Sequence, residues 1–138
     1  MNNVQQLPIG VFDSGVGGLS VLKVLQEQFP NEDFIYIGDN ANNPVGNRSD
    51  DEITDLACHI AEALEKQPVK LMVIACNTFT VVALDVVRER VSVPVIGVSQ
   101  GVKTAISQSK SKTIGIMATV ATVNSHIHKH VALEVDHE

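Results

Sequence analysis

Aromatic residues and basic charge are both scarce in this sequence. Its 138 residues include no tryptophan, one tyrosine and four phenylalanines, and 10 Lys and Arg stand against 16 Asp and Glu. The resulting formal net charge of -6 repels polyanions, and few aromatic side chains are available to stack on bases. We therefore expect neither nucleic acid nor an anionic membrane surface as a partner.

Cysteine is scarce as well, and its spacing fits no metal or redox motif. Cys58 and Cys76 are the only two, in neither a C-x-x-C nor a Cys/His zinc pattern. Few cysteines, with no disulfide or metal spacing, are typical of a protein in a reducing compartment. The first ten residues, MNNVQQLPIG, do not resemble a signal peptide, and no apolar run approaches the roughly 18 residues of a spanning helix. We expect a cytoplasmic protein.

Short apolar runs alternate with amphipathic segments along the chain. The runs are continuous, which is typical of strands buried on both faces of a parallel sheet. Strands are predicted at residues 8–12, 34–37, 71–75, 94–98 and 114–118, and helices at 19–29, 53–64, 81–91 and 102–107. This order predicts one α/β domain over residues 1–138, with a doubly wound, mostly parallel sheet of about five strands and helices on both faces.

Ligands of such sheets bind at the carboxyl ends of the strands, so candidate site residues should follow a strand. Asp13 and Ser14 follow the first strand. Gly15, Gly17 and Gly18 come next and allow the backbone to approach a ligand at the N terminus of the following helix. We expect this loop to receive a carboxylate or a phosphate group.

Two other interpretations of the same loop remain open. A dinucleotide site is one, because Gly15 begins a G-x-G pattern and Asp39 lies near the ribose-binding position at the end of the second strand. Against it, Ser20 occupies the place of the third glycine, and the Asp13 charge would repel a pyrophosphate. A purely structural turn is the other interpretation.

Cys76 is the second candidate, because it follows the third strand and precedes a helix. Backbone N–H groups and the dipole at a helix N terminus favour a thiolate, which can act as a base or nucleophile at neutral pH. The alternative is a small buried apolar residue, which is common for a single cysteine. Cys58, within a predicted helix, is interpreted as structural.

Two weaker signals complete the set of candidates. The segment NNPVG at residues 42–46 predicts a turn in which Gly46 is free to adopt a positive φ and to offer its amide to a ligand. His126 and His130 are four residues apart, as paired metal ligands on a helix are, with His128 between them. Neither a cysteine nor a general-base glutamate completes that site, so we expect surface histidines and no metal.

Six sequence blocks together resemble the glutamate racemase family of the aspartate/glutamate racemase superfamily. The resemblance covers nearly the whole chain, and the ordered DSGxGG and ACNT blocks are jointly specific for it. The blocks are PIGVFDSGVGGL (8–19), YIGD (36–39), PVG (44–46), VIACNT (73–78), PVIGV (94–98) and IGIMAT (114–119).

The resemblance implies cofactor-independent interconversion of L- and D-glutamate, supplying the D-isomer for peptidoglycan. By position, Cys76 matches the family cysteine that acts on the D-enantiomer. The remaining matches are substrate-binding residues that hold the amine and carboxylates or line the pocket: Asp13, Ser14, Val45, Gly46, Asn77 and Thr78, with Thr119 and Thr122 as further carboxylate contacts.

Two departures from the family pattern affect what the chain is expected to do. Family members have two similar α/β halves with a cysteine from each, and this sequence matches the first half alone. Val45 also replaces a tyrosine, which removes a hydroxyl from the pocket wall. The chain is therefore either a racemase half or a shortened amino-acid-binding relative that no longer racemises. Apolar surface exposed by the missing half predicts a homo-oligomer.

Overall fold

A computed structural model describes residues 4–98 and 101–135, and a four-stranded parallel sheet lies at its centre. The strands are β1 (Ile9–Asp13), β2 (Phe34–Gly38), β3 (Leu71–Ile74) and β4 (Val95–Gly97), in the order β2-β1-β3-β4. A short 3-10 helix (Val4–Gln6) precedes β1. The helices are α1 (Gly18–Gln28), α2 (Asp50–Glu65), α3 (Asn77–Arg90), α4 (Val102–Gln108), α5 (Val120–Asn124) and α6 (Ile127–Val135).

Alternate residues of the central strands pack against different helices. Val11 and Val73 lie on one face, together with apolar residues of α1. Phe12 and Ile74 lie on the other, in the larger core cluster that includes the buried side chains of α2 and α3. Because side chains alternate across a strand, runs that are apolar at every position require cover on both faces. The predicted α/β sheet with helices on both faces is confirmed.

The predicted fifth strand is wrong. Residues 114–118 pair with no strand among the described residues, and β4 pairs only with β3 there. Ile116 is 45% exposed and Met117 fully exposed. An apolar, β-branched run has the composition of a strand, but a strand also needs a neighbour for its backbone hydrogen bonds. The short helices α5 and α6, on either side of residue 126, were not predicted.

The start of α2 is fixed by a capping box, as the SDDE sequence at residues 49–52 predicts. The Ser49 hydroxyl accepts a hydrogen bond from the Glu52 amide at 3.3 Å, and the Glu52 carboxylate accepts one from the Ser49 amide at 3.0 Å. These bonds satisfy two backbone donors that the first turn leaves unpaired. They position a helix whose buried face supplies much of the core.

Replacing Ser49 with alanine should lower the free energy of unfolding by about 1 kcal/mol in urea denaturation at neutral pH. Hydrogen bonds from the Ser49 amide and hydroxyl lower the pKa of Glu52. A carboxyl group with a lowered pKa stabilises the fold above its unfolded pKa, and this contribution is lost as the pH falls through its folded value. The difference between the two proteins should therefore shrink in acid. Ser107→Ala, an exposed change within α4, is the control, and an equal loss in both variants would contradict the cap assignment.

Candidate functional site

Cys76 lies where β3 ends and α3 begins. It is the N-cap residue of α3, and its Sγ accepts a hydrogen bond from the Phe79 amide at 3.4 Å. Only 6% of the residue is exposed. A cap position directs the sulfur at the N–H groups that the first turn leaves unpaired, and the sulfur accepts a hydrogen bond from one of them.

The loop after β1 meets this cysteine. The Ser14 Oγ lies 3.4 Å from the Cys76 Sγ, and the two residues are far apart in sequence. Parallel pairing of β1 with β3 causes this approach, because both strands end at the same edge of the sheet. The residue 13–18 loop and the Cys76 loop therefore lie together at this edge.

The Asp13 side chain occupies the turn that the sequence suggested for a ligand anion. Its Oδ2 accepts hydrogen bonds from the amides of Gly15 at 3.1 Å and Gly18 at 3.0 Å, and the residue is buried. The loop therefore supplies its own carboxylate to these two amides. The carboxylate of Asp39 accepts hydrogen bonds from Asn42 instead of standing free for a ribose. Both contacts count against the dinucleotide interpretation.

Three threonine hydroxyls form a cluster beside Cys76. The Oγ1 of Thr119 lies 3.0 Å from that of Thr78 and donates to that of Thr122 at 3.0 Å. Thr78 and Thr122 are buried, whereas Thr119 is exposed and caps α5. Hydroxyl groups both donate and accept, so the cluster can reorient its hydrogens toward a carboxylate. The fold thus brings Thr78 together with Thr119 and Thr122, the two further threonines that the family resemblance suggested.

Val45 and Gly46 are both buried, and Gly46 packs against Thr119 of this cluster. Val45 packs into the main core. Gly46 does not use its freedom to adopt a positive φ, since Gly101 is the one glycine with that geometry among the described residues. A Cβ at Gly46 would lie 2.5 Å from the Cβ of Thr119. Glycine is therefore needed here for close packing against Thr119, and its carbonyl accepts a hydrogen bond from the Ala121 amide.

Comparison with known proteins decides the family. Residues 9–137 match the family described as Asp/Glu/Hydantoin racemase. The chain belongs to that family. A glutamate racemase of Picosynechococcus is 45% identical over 139 aligned residues, which cover 100% of this chain and 49% of that protein. The chain spans about half the length of the curated relatives that it matches.

Solved structures of glutamate racemases share the fold of this racemase-family chain. The enzyme of Aquifex pyrophilus superposes with a TM-score of 0.87 and 41% identity, covering 94% of this chain and 52% of that one. The enzyme of Francisella tularensis, crystallised in complex with D-glutamate, gives a TM-score of 0.83 and 40% identity, covering 95% and 49%.

Asn77 follows Cys76 in the chain and lines a cavity of about 500 Å³. Residues 114–118 and residues of α4 and α6 line the same cavity. His128 also lines this cavity and is buried, so the expectation of surface histidines is wrong for His128, whereas His126 and His130 are exposed. No group of three or more His, Cys, Asp or Glu side chains suited to a metal occurs within residues 4–98 and 101–135.

Cys58 is buried in the same core cluster as Cys76, but it does not lie at a helix N terminus. It lies within α2 in the main core, and burial raises the pKa of its thiol, an effect opposed by the nearby Arg90. Its raised pKa and its packing agree with the structural role predicted for it.

No helix in the described part of the chain is long and apolar enough to cross a membrane.

Proposed function

We propose that this chain forms one half of a cofactor-independent glutamate racemase site in which the Cys76 thiolate is the base. The observation that carries the proposal is the approach of the Ser14 Oγ to the Cys76 Sγ, at 3.4 Å, at the carboxyl edge of a sheet of this family. The D-glutamate complex of a relative supports glutamate as the substrate.

The reaction proposed is proton transfer at the α-carbon of the amino acid. The Cys76 thiolate takes the α-proton, and the electron pair of the broken C–H bond remains on carbon, delocalised into the adjacent carboxylate. The resulting thiol exchanges its proton with water and returns a proton to the same face. The Ser14 hydroxyl and the Phe79 amide both lie within 3.4 Å of the sulfur and can donate hydrogen bonds to its thiolate form.

Inversion of the centre needs a second acid on the opposite face. Cys58 is the other cysteine of the chain, and it is buried within α2. We propose that the second acid comes from polypeptide outside this sequence, and that the chain by itself exchanges a proton without inverting the centre. In the complete site the product would be D-glutamate for peptidoglycan synthesis in the cytoplasm.

Calorimetric titration separates substrate classes at low cost. We expect the chain to release or absorb heat with D-glutamate and L-glutamate and to give no binding signal with NAD, because Asp13 fills the turn that a pyrophosphate would need. Aspartate, one methylene shorter, tests selectivity. Binding of NAD without binding of either amino acid would contradict the proposal.

Self-association is a further expected property of the chain. Apolar side chains are exposed on the last strand and the segment that follows α4, with Ile96 at 53% and Met117 at 101% exposure. Burying such side chains is favourable, at about 25 cal/mol for each Å² removed from water. Light scattering should detect a dimer or larger species at micromolar concentration. A monomer over the whole concentration range would contradict this expectation.

A further inference from the structure

Tyr36 of β2 reaches into the loop that carries Ser14. Its hydroxyl donates a hydrogen bond to the carbonyl of Gly15 at 2.9 Å. The ring packs on the α1 face of the sheet, against the cluster that contains Val11 and Val73. The phenol is therefore held by apolar packing along its length and meets a backbone acceptor at its tip. The proposed reaction uses no atom of this residue.

A second residue of the same strand fixes the position of the Gly15 carbonyl. A Cβ placed on Gly38 would lie 2.2 Å from that oxygen, closer than any real contact. The absence of a side chain at Gly38 lets the loop approach the strand, and the Tyr36 hydroxyl bonds the loop there. Strand β2 thus defines where the Gly15 peptide lies.

Ser14 is held between two fixed neighbours as a result. Asp13 ends β1, and its carboxylate accepts a hydrogen bond from the Gly15 amide. The Tyr36 hydroxyl donates a hydrogen bond to the Gly15 carbonyl. With both sides of Gly15 bonded, the backbone of Ser14 has little freedom, and its Oγ stays 3.4 Å from the Cys76 sulfur.

The phenol remains a donor over a wide pH range. Burial is the main cause that raises the pKa of Tyr36, and the negative charges of Asp13 and of an ionised Cys76 raise it further. Ionisation of Cys76 would thus further favour the protonated Tyr36 hydroxyl, which is the form that donates this hydrogen bond.

We propose that Tyr36 is a positioning residue, whose hydroxyl holds the Gly15 carbonyl and thereby keeps the Ser14 hydroxyl against the Cys76 thiol. Its importance for substrate rests on the proposed racemase function. Its effect on the thiol does not, because the contacts exist in the chain without substrate.

A double-mutant cycle on the reactivity of Cys76 tests this proposal. The rate of Cys76 alkylation by iodoacetamide at neutral pH is measured by peptide mass spectrometry, which separates it from Cys58. Tyr36→Phe should slow alkylation by about tenfold, the change expected when a charged thiolate loses one hydrogen-bond donor, here the Ser14 hydroxyl. In a Ser14→Ala background the same change should have no further effect.

Ser20→Ala is the matched control, because the exposed Ser20 hydroxyl also donates to a carbonyl near this loop, that of Gly17 at 2.8 Å. It should leave the alkylation rate unchanged. An equal effect of Tyr36→Phe with and without the Ser14 hydroxyl, or no effect at all, would overturn the proposal.

Affinity for D-glutamate separates this inference from the proposed function. Tyr36→Phe should weaken binding of D-glutamate by about fivefold, and Ser20→Ala should not. Unchanged affinity in Tyr36→Phe would overturn a positioning role toward substrate. If the unmodified chain binds no D-glutamate while the alkylation cycle behaves as expected, the proposed function fails and the positioning of Ser14 by Tyr36 stands.

Discussion

Replacing Cys76 with alanine is expected to abolish exchange of the α-proton of D-glutamate with solvent. The change removes the proposed base, and general-base catalysis contributes about 100-fold to 10,000-fold to a proton transfer. The Ser14 hydroxyl cannot substitute, since an alcohol is far less acidic than a thiol. Exchange is measured in D₂O by the loss of the α-proton NMR signal, at saturating D-glutamate, so that weakened binding is not mistaken for lost chemistry.

Cys58→Ala is the matched control, because it also removes a buried thiol. Cys58 packs in the core within α2, so its loss should lower the free energy of unfolding by about 1 kcal/mol and leave the exchange rate unchanged. Persistent exchange in Cys76→Ala, or equal losses of exchange in both variants, would contradict the assignment of Cys76 as the base.

Replacing Asp13 with alanine should produce the largest loss of stability among the site variants. Its carboxylate accepts hydrogen bonds from the amides of Gly15 and Gly18, and all three groups are buried. Each amide left without an acceptor costs about 1–3 kcal/mol, so the loss of the acceptor for both amides should lower the free energy of unfolding by about 2–6 kcal/mol in urea denaturation. Binding of D-glutamate should be lost with the loop geometry.

Asp33→Ala is the control for removal of an acidic side chain. Asp33 is exposed, and its replacement should change stability by no more than about 0.5 kcal/mol. Asp13→Asn keeps an oxygen acceptor of the same shape and should recover part of the stability. A loss below about 1 kcal/mol in Asp13→Ala would mean that water or another group can satisfy the two amides.

Much of the fold could be predicted because its central strands are apolar at every position. That pattern requires helices on both faces, and the capping box at Ser49 and the glycines after β1 mark where helices begin. The run at residues 114–118 has the same composition, yet it is largely exposed and pairs with no strand in the described part of the chain. Composition describes what a segment prefers, whereas a strand also depends on a neighbour that no local pattern supplies.

The residues that make up the candidate site could be grouped from the sequence, whereas most of the contacts between them could not be predicted. Because carboxyl ends of parallel strands meet at one edge, Asp13, Ser14 and Cys76 could be grouped from sequence. That the Asp13 carboxylate would fill its own loop depends on side-chain orientation. The tight packing of Gly46 on Thr119 and the bond from Tyr36 to Gly15 arise between distant segments, and no spacing in the sequence indicates them.

The central claim is that Cys76 works on one face of the α-carbon without a partner on the other. The most direct measurement incubates D-glutamate and L-glutamate separately with the purified chain in D₂O, following α-deuterium by NMR and handedness by chiral chromatography. Deuterium should enter D-glutamate with its configuration retained, while L-glutamate stays unlabelled. Conversion of either enantiomer into the other by the 138-residue chain, or no exchange in D-glutamate at all, would contradict the account.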